Sequence, residues 1–581
     1  MSLSRLHRLV LFSTLGLLLL LASAPSVSAS SPNHTEQGLP SSTCPGITLF
    51  TPGSGPVGTS VTITGCGFTR ATNVTFNGVA ASFTVNSNRQ ITATVPGGAT
   101  SGAISVTTPT RTVTSTSPFM VTPAVTLSPT VGPPTSTVGV SGTTFGSTEA
   151  VDVYFDTIDE ALAATTAQGA FAISIQVPGA AVPGTHWVTA VGRHSGLSAQ
   201  AAFLVQTDWA QFHNNPRRTG SNPYENVLSP AKVASLDVAW SAATGAPVFS
   251  SPAVADGVVY IGSEDDHLHA FNAQTGAQLW SAVTGSSIFS SPAVADGVVY
   301  VGSGDDHLYA FNAQTGAQLW SAATGSTVFS SPAVADGVVY IGSEDSHLYA
   351  FNAQTGTQLW SAMTGSAVLS SPAVANGVVY VGSTDKSLYA FNVQTGAQLW
   401  SAATSVGIES SPAVANGVVY VGSADDHLYA FNAQTGAQLW SAMTGFEIAD
   451  SSPAVANGVV YVGSLDKSLY AFNAQTGAQL WSAVTGAGIE SSPAVANGVV
   501  YIGSEDDHLY AFNAQTGAQL WSAVTGSSIF SSPAVANGVV YVGSFDKSLY
   551  AYALPAGEQL KPVARPNPTR LHPNLKLRIG S

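Results

Sequence analysis

The stretch Ser250–Trp280 reads SSPAVADGVVYIGSEDDHLHAFNAQTGAQLW, and Ser290–Trp320 repeats it with few changes. Eight copies begin at Ser250, Ser290, Ser330, Ser370, Ser410, Ser451, Ser491 and Ser531. The step is 40 residues, with one step of 41 where Asp450 is inserted. Units this short cannot each bury a core, so they must stack or close radially. Each holds four strand candidates: A, Ser-Ser-Pro-Ala-Val-Ala; B, Val-Val-Tyr-Val/Ile-Gly-Ser; C, Leu-Tyr-Ala-Phe; and D, Gln-Leu-Trp-Ser-Ala. Asp-Gly or Asn-Gly joins A to B, a hairpin signal because both turn residues must take positive φ. Four antiparallel strands per period predict a β-propeller blade, with a solenoid as the alternative stacking.

The ends of the array bear on closure. Trp240 lies in a D-type strand, Ala239-Trp-Ser-Ala-Ala-Thr-Gly, with no A, B or C strand before it. After the last C strand, Leu549-Tyr-Ala-Tyr, the segment Glu558-Gln-Leu-Lys has lost its Trp. The Trp240 strand is therefore expected to complete blade eight and leave no open sheet edge at the seam. Glu558–Pro562 is the competing candidate for that strand. The fold class expected is all-β: two Ig-like β-sandwiches, then an eight-bladed propeller closed by an N-terminal strand D.

Only 8% of the residues are charged and the net charge is −15, so there is no basic face for nucleic acid. Residues 1–29 read as a signal peptide. Arg5, His7 and Arg8 precede an apolar run, Leu9–Leu21, that is short for a membrane span, and small-residue cleavage sites follow. The mature chain is expected to be secreted or at the cell surface, monomeric and without a membrane span. Residues 30–43 read as a flexible linker, 207–237 as a lead-in to the repeats, 238–560 as the propeller and 561–581 as a disordered basic tail. In the lead-in, Trp209 and Phe212 are expected to pack on the propeller rim.

Residues 44–122 and 123–206 alternate in strand fashion between Gly and Pro punctuation, as β-sandwiches do. Cys44 and Cys66 are the two cysteines. A hairpin centred on Gly55 that pairs Phe50 with Ser60 sets them opposite each other, and an exported chain keeps disulfides, so a Cys44–Cys66 bridge is expected.

Two resemblances follow from these residues. The run ITLFTPGSGPVGTSVTITGCGFTRATNVTFNGV resembles an IPT/TIG domain, an immunoglobulin-like fold. The run Ala-Phe-Asn-Ala-Gln-Thr-Gly-Ala-Gln-Leu-Trp resembles the tryptophan-docking motif of PQQ-like propeller repeats, found in quinoprotein dehydrogenases and in outer-membrane assembly factor B-like proteins. That family has Asp where this chain has Asn272 and its equivalents. The resemblance implies that Trp240, Trp280, Trp320, Trp360, Trp400, Trp440, Trp481 and Trp521 dock between blades. A fully buried Trp removes about 150–250 Å² from water, a gross gain of roughly 4–6 kcal/mol. The resemblance also implies pyrroloquinoline quinone (PQQ) and calcium. The residues argue against both: no adjacent cysteines, no spare ring tryptophan for stacking on a quinone, and near-identical blades that offer no unique ligand cluster. No cofactor and no catalytic residue are expected.

Comparison among the copies is more telling. The A–B and C–D turns, which share one face of the ring, hardly change. The D–A and B–C loops share the other face and do change. The D–A position carries Phe249, Phe289, Phe329, Leu369, Glu409, Asp450, Glu490 and Phe530, the expected binding face. In the B–C loops, Asp265 and His267, Asp305 and His307, Asp345 and His347, Asp425 and His427, and Asp506 and His508 are two apart and face the same way on a strand. They are weak candidates for a divalent cation, since two ligands per blade make a poor set. Lys386, Lys467 and Lys547 are expected to pair with Asp426, Asp507 or Asp266 on neighbouring blades. The function these residues suggest is a non-enzymatic binding or scaffold protein, its propeller presenting a face to an extracellular or cell-surface protein or glycan. A PQQ-dependent dehydrogenase is the alternative, and a carbohydrate-binding propeller that stacks sugars on its Phe rings is a third.

Overall fold

The computed structural model describes residues 46–556, 558 and 563–571. The expected signal peptide, the linker and Cys44 lie outside these residues. Cys66 is disulfide-bonded. The first sandwich packs a sheet of Ile47–Thr51, Ser60–Gly65, Gln90–Thr94 and Phe83–Ser87 on a sheet built around Arg111–Val121 and Gly102–Thr108. Val61, Ile63, Ile91, Ile104 and Phe119 are buried between them. The first hairpin departs from the expected register. Phe50 opposes Ile63, not Ser60, and a bulge between Ile47 and Leu49 brings Gly46 beside Cys66. The turn is longer than a Gly55-centred one because Ser54–Gly55 leaves to pair with Met120–Val121 of the other sheet. The second sandwich repeats the plan, with Val138, Val151, Val188 and Phe203 in its core.

The propeller has eight four-stranded blades. In blade one, strands A to D are Ala253–Ala255, Val258–Gly262, His267–Asn272 and Gln278–Val283. Asp256 and Gly257 take φ of 50° and 77°, the left-handed pair that the A–B turn demands. Blade eight takes its D strand from Asp237–Ala243, antiparallel to Ser548–Ala553, with Trp240 opposite Ala551. The N-terminal segment thus closes the ring, as the orphan strand implied.

Each docking Trp reaches the next blade. Its indole N–H donates to a backbone carbonyl there at 3.0–3.2 Å, from Trp240 to Ala273 round to Trp521, whose acceptor is Leu236. A Cβ on Gly276 would lie 2.7 Å from the Trp240 ring, so the close approach and the φ of 70° both require glycine there. The indoles are half-buried rather than fully buried, because one edge faces the outside of the ring. The gross gain per Trp is therefore nearer 2–3 kcal/mol, about half the expected figure. Asn272 Oδ1 accepts from the Gln274 and Thr275 amides and the Thr275 hydroxyl, so the turn needs an oxygen acceptor and not a charge. That accounts for Asn where the family has Asp.

The lead-in does not lie on the rim. It threads the central channel as a strap that visits the blades in order. Trp209 exchanges both backbone hydrogen bonds with Val254 of blade one. The amides of Val294, Val374, Val414, Val455 and Val495 then donate to the carbonyls of Ala210, Pro216, Arg217, Thr219 and Gly220. Val334 N–H donates to Gln211 Oε1, and Asn222 Nδ2 donates to Val535 O in blade eight. The innermost strands would otherwise present unpaired amides to the channel, and the strap satisfies them.

The second sandwich meets the propeller at the A–B turns of blades one and eight and the C–D turn of blade one. A cavity of about 530 Å³ there is bordered by Gly184, Leu204, Gly257, Gln274 and Asn537. The expected disordered tail is ordered in part. Residues 563–571 lie on this sandwich, where Arg565 stacks over Trp187 at 4.7 Å and donates to Gln200 Oε1, while Gln200 Nε2 donates to Pro566 O. A cation over an aromatic face and two directed hydrogen bonds hold a segment that composition alone marks as disordered. Among the described residues no helix is long and apolar enough to cross a membrane.

Candidate functional site

The D–A loops of all eight blades converge on the channel mouth opposite the sandwich contact. Their residues line a funnel of about 390 Å³. Its wall divides into two arcs. Phe530, Phe249, Phe289 and Phe329 form a continuous aromatic arc over blades eight, one, two and three, with successive centroids 5.0, 5.8 and 4.9 Å apart. Phe545, from a B–C loop, packs edge-on against both Phe249 and Phe530. Leu369 borders the arc, and Glu409, Asp450 and Glu490 complete the circle over blades five to seven. Glu344, from the B–C loop of blade three, adds a carboxylate at the Phe329 end.

The funnel is blind. Its floor is a ring of serines, in which each backbone N–H donates to the hydroxyl of the next blade's serine at 2.8–2.9 Å. The ring runs from Ser251 to Ser291 and on until Ser532 donates back to Ser251. Phe212 of the strap also lines the funnel, which it joins from the channel axis. Next to Phe212 the side chain of Arg218 is fully buried. Its Nε donates to Pro372 O, Nη1 to Phe212 O, and Nη2 to Ser331 O and Pro332 O, and its guanidinium lies 5.2 Å from the Phe212 ring centre. Burial pulls the Arg218 pKa down to about 9. His213, stacked on Phe212 at 4.5 Å, is pushed down to about 3 by burial and by the Arg218 charge, so it is neutral.

The acidic arc is electrostatically loaded. Asp450, though exposed to the funnel, is pushed up to about 6 by the protein packed around it and by Glu409. Glu490 is pushed up to about 7 by removal from water and by Asp450, Glu505 and Glu409, and its hydrogen bond with Glu505 favours the protonated form.

The B–C aspartates are otherwise engaged. Asp265, Asp305, Asp345, Asp385, Asp425, Asp466, Asp506 and Asp546 each accept, through Oδ2, the backbone N–H at the start of the preceding blade's D–A loop at 2.5–2.8 Å. Most also take the hydroxyl of a tyrosine four residues on, as Tyr309 does with Asp305; blade one has His269 there instead. His267, His307, His347, His427 and His508 turn Nδ1 to the backbone carbonyl of their own aspartate. Among the described residues no three His, Asp or Glu are grouped to hold a metal ion.

The expected lysine pairs do not form. None of Lys386, Lys467 and Lys547 lies within 4.0 Å of a carboxylate. These positions, like Asp266, Asp426 and Asp507, have φ of 66–76°. What the loop uses there is the left-handed backbone, whose carbonyl accepts the amide of the threonine after strand D, as Lys386 does for Thr404.

Comparison with known proteins now bears on this geometry. The family model described as outer membrane protein assembly factor BamB matches residues 227–290, 284–371, 363–484 and 446–570, more than half of the chain. The chain belongs to this family. An IPT/TIG domain model matches residues 45–121 of this BamB-type protein. Among solved structures, a europium-containing methanol dehydrogenase superposes with a TM-score of 0.53 at 14% identity, covering 60% of this chain and 98% of that one. The quinohemoprotein alcohol dehydrogenase of Comamonas testosteroni gives 0.54 at 17%, covering 61% and 81%. BamB from Moraxella catarrhalis gives 0.48 at 19%, covering 55% and 99%. The dehydrogenase likenesses are of fold. No curated protein matches the sequence.

The cofactor of such dehydrogenases does not fit this BamB-type funnel. PQQ is a tricarboxylate, and here it would meet Glu344, Glu409, Asp450 and Glu490. The nearby cation, Arg218, already spends Nε, Nη1 and Nη2 on backbone carbonyls.

Proposed function

We propose that this BamB-type protein is a non-enzymatic binding protein, with the funnel as its ligand site and the Ig-like sandwiches as its stalk. One observation carries the reading: repeats that are otherwise near-identical differ where their loops converge on one blind cavity. A larger cavity, of about 790 Å³, lies between the strap and blades three and four, but its repeat residues hardly change between copies: Val338 and Tyr340 recur, and the A–B turn alternates only between Asp, as at Asp336, and Asn, as at Asn376. The attachment of the sandwich at the opposite end leaves the funnel mouth clear of it. The family's own description, an assembly factor, is in keeping with binding rather than turnover.

The test pairs two variants. Phe289→Ala with Phe329→Ala changes the funnel, and Asn376→Asp changes only an A–B turn on the opposite face, to the residue that blades one to three carry there. Glycan arrays and thermal-shift ligand panels on the full chain should yield hits that the funnel variant loses and the turn variant keeps. A hit equally strong in both variants removes the site assignment. A stoichiometric quinone spectrum after addition of PQQ and calcium favours the dehydrogenase reading instead.

A further inference from the structure

We infer that the funnel's ligand is an organic cation with an apolar body, such as an alkyl- or arylammonium, held between the aromatic arc and the acidic arc. The inference rests on the binding reading above and specifies its chemistry.

Four consecutive D–A loops contribute phenyl rings and three contribute carboxylates, with Leu369 at one boundary and Glu344 of a B–C loop beside Phe329. Phenyl faces attract cations and shed water, and carboxylates supply the counter-charge. A neutral apolar ligand satisfies only the first arc and leaves the acids dehydrated and unpaired. An anion is repelled by the second. A small hydrated metal ion has no use for the rings, and the carboxylates are not grouped as a ligand set. Only a ligand that carries both an apolar surface and positive charge satisfies both arcs.

A second observation concerns Asp450. Its carboxylate lines the funnel, where the residue is exposed, and no described residue donates a hydrogen bond to it. It belongs to the single inserted residue that breaks the 40-residue step. The first aspartate of each B–C loop is bonded to a backbone amide; Asp450, in a D–A loop, is not. Arg218 makes no ion pair with it: the guanidinium nitrogens bond to backbone carbonyls of Pro372, Phe212, Ser331 and Pro332. The cavity, about 390 Å³, is large enough for an ammonium group with one aromatic or short alkyl substituent.

The probe is benzyltrimethylammonium, with its uncharged carbon isostere neopentylbenzene as control. Binding to the full chain is followed by calorimetry and by ligand-observed NMR. At pH 8 the cation should bind at least tenfold more tightly than the isostere. Asp450→Asn with Glu490→Gln should weaken the cation at least tenfold and leave the isostere unchanged. At pH 5, where Asp450 and Glu490 are protonated beside Glu409 and Glu505, cation affinity should drop in the same direction. Both variants are isosteric loop changes, and a thermal melt confirms their folding. Equal binding of both probes, with loss of both in Phe289→Ala, overturns the cation inference and leaves the binding site standing. Binding of neither probe overturns the cation inference alone, since the array and panel experiments still judge the broader reading.

Discussion

Phe249 and Phe530 stack with ring centroids 5.0 Å apart and planes inclined by 24°, although nearly half of the chain separates them. They meet because blade eight borrows its last strand from Asp237–Ala243, which sets the loops before blades one and eight side by side. The aromatic arc of the funnel is thus a product of ring closure.

Closure gives the first prediction. Trp240→Ala removes the indole that docks on Gly276 and the bond to Ala273 O at the one seam where the blade is built from both ends of the array. A half-buried Trp lost there should cost about 2–3 kcal/mol in urea denaturation. It should also quench the Phe249–Phe530 contact. Trp320→Ala, inside the array, should cost a similar amount but leave that contact intact. Limited proteolysis near residue 245 separates the two.

Arg218 gives the second. It is a buried charge whose partners are four backbone carbonyls from the strap and from blades three and four. Arg218→Ala leaves these acceptors without a donor, and the cost should be about 3 kcal/mol or more in denaturant unfolding. Arg218→Lys should recover only part of it, because one ammonium cannot reproduce the planar fork.

The third concerns pH. Asp450 at about 6 and Glu490 at about 7 lie above the ordinary 3.8 and 4.5. Between about pH 4 and pH 7 the folded protein therefore holds more protons at these sites than the unfolded chain. The destabilisation is absent below that window and complete above it, so stability falls as pH rises through it. Calorimetric melting points should fall from pH 5 to pH 8, and Asp450→Asn with Glu490→Gln should flatten the slope.

The interblade aspartates give a fourth. Asp385→Ala frees the Gly365 amide and the Tyr389 hydroxyl at once. It should cost about 1–3 kcal/mol. Tyr389→Phe, which keeps the amide bond, should cost less than half as much by the same measurement.

Much of this was legible in the residues. A 40-residue period with Asn-Gly turns and one Trp per copy specifies blades, because strands, hairpins and docking are local and recur. The orphan Trp240 strand showed where the ring closes. Comparison of the copies located the loops that differ. The roles of single residues were less legible. The B–C aspartates look like metal ligands in sequence, yet in the fold their oxygens take amide hydrogens from the blade before.

The blade, the number of blades and the face on which they vary can all be read along the chain, since each depends on residues close together in it. The folded ring was needed to bring Phe530 to Phe249, to set Glu409, Asp450 and Glu490 and the phenyl rings on one funnel wall, and to make the lead-in a strap through the channel. Blade order becomes angular position only when the ring closes. The strap's contacts with blades one, two and four to seven run through backbone carbonyls, which every residue carries, so the side chains of Gln211, Arg218 and Asn222 that add to them announce little of it.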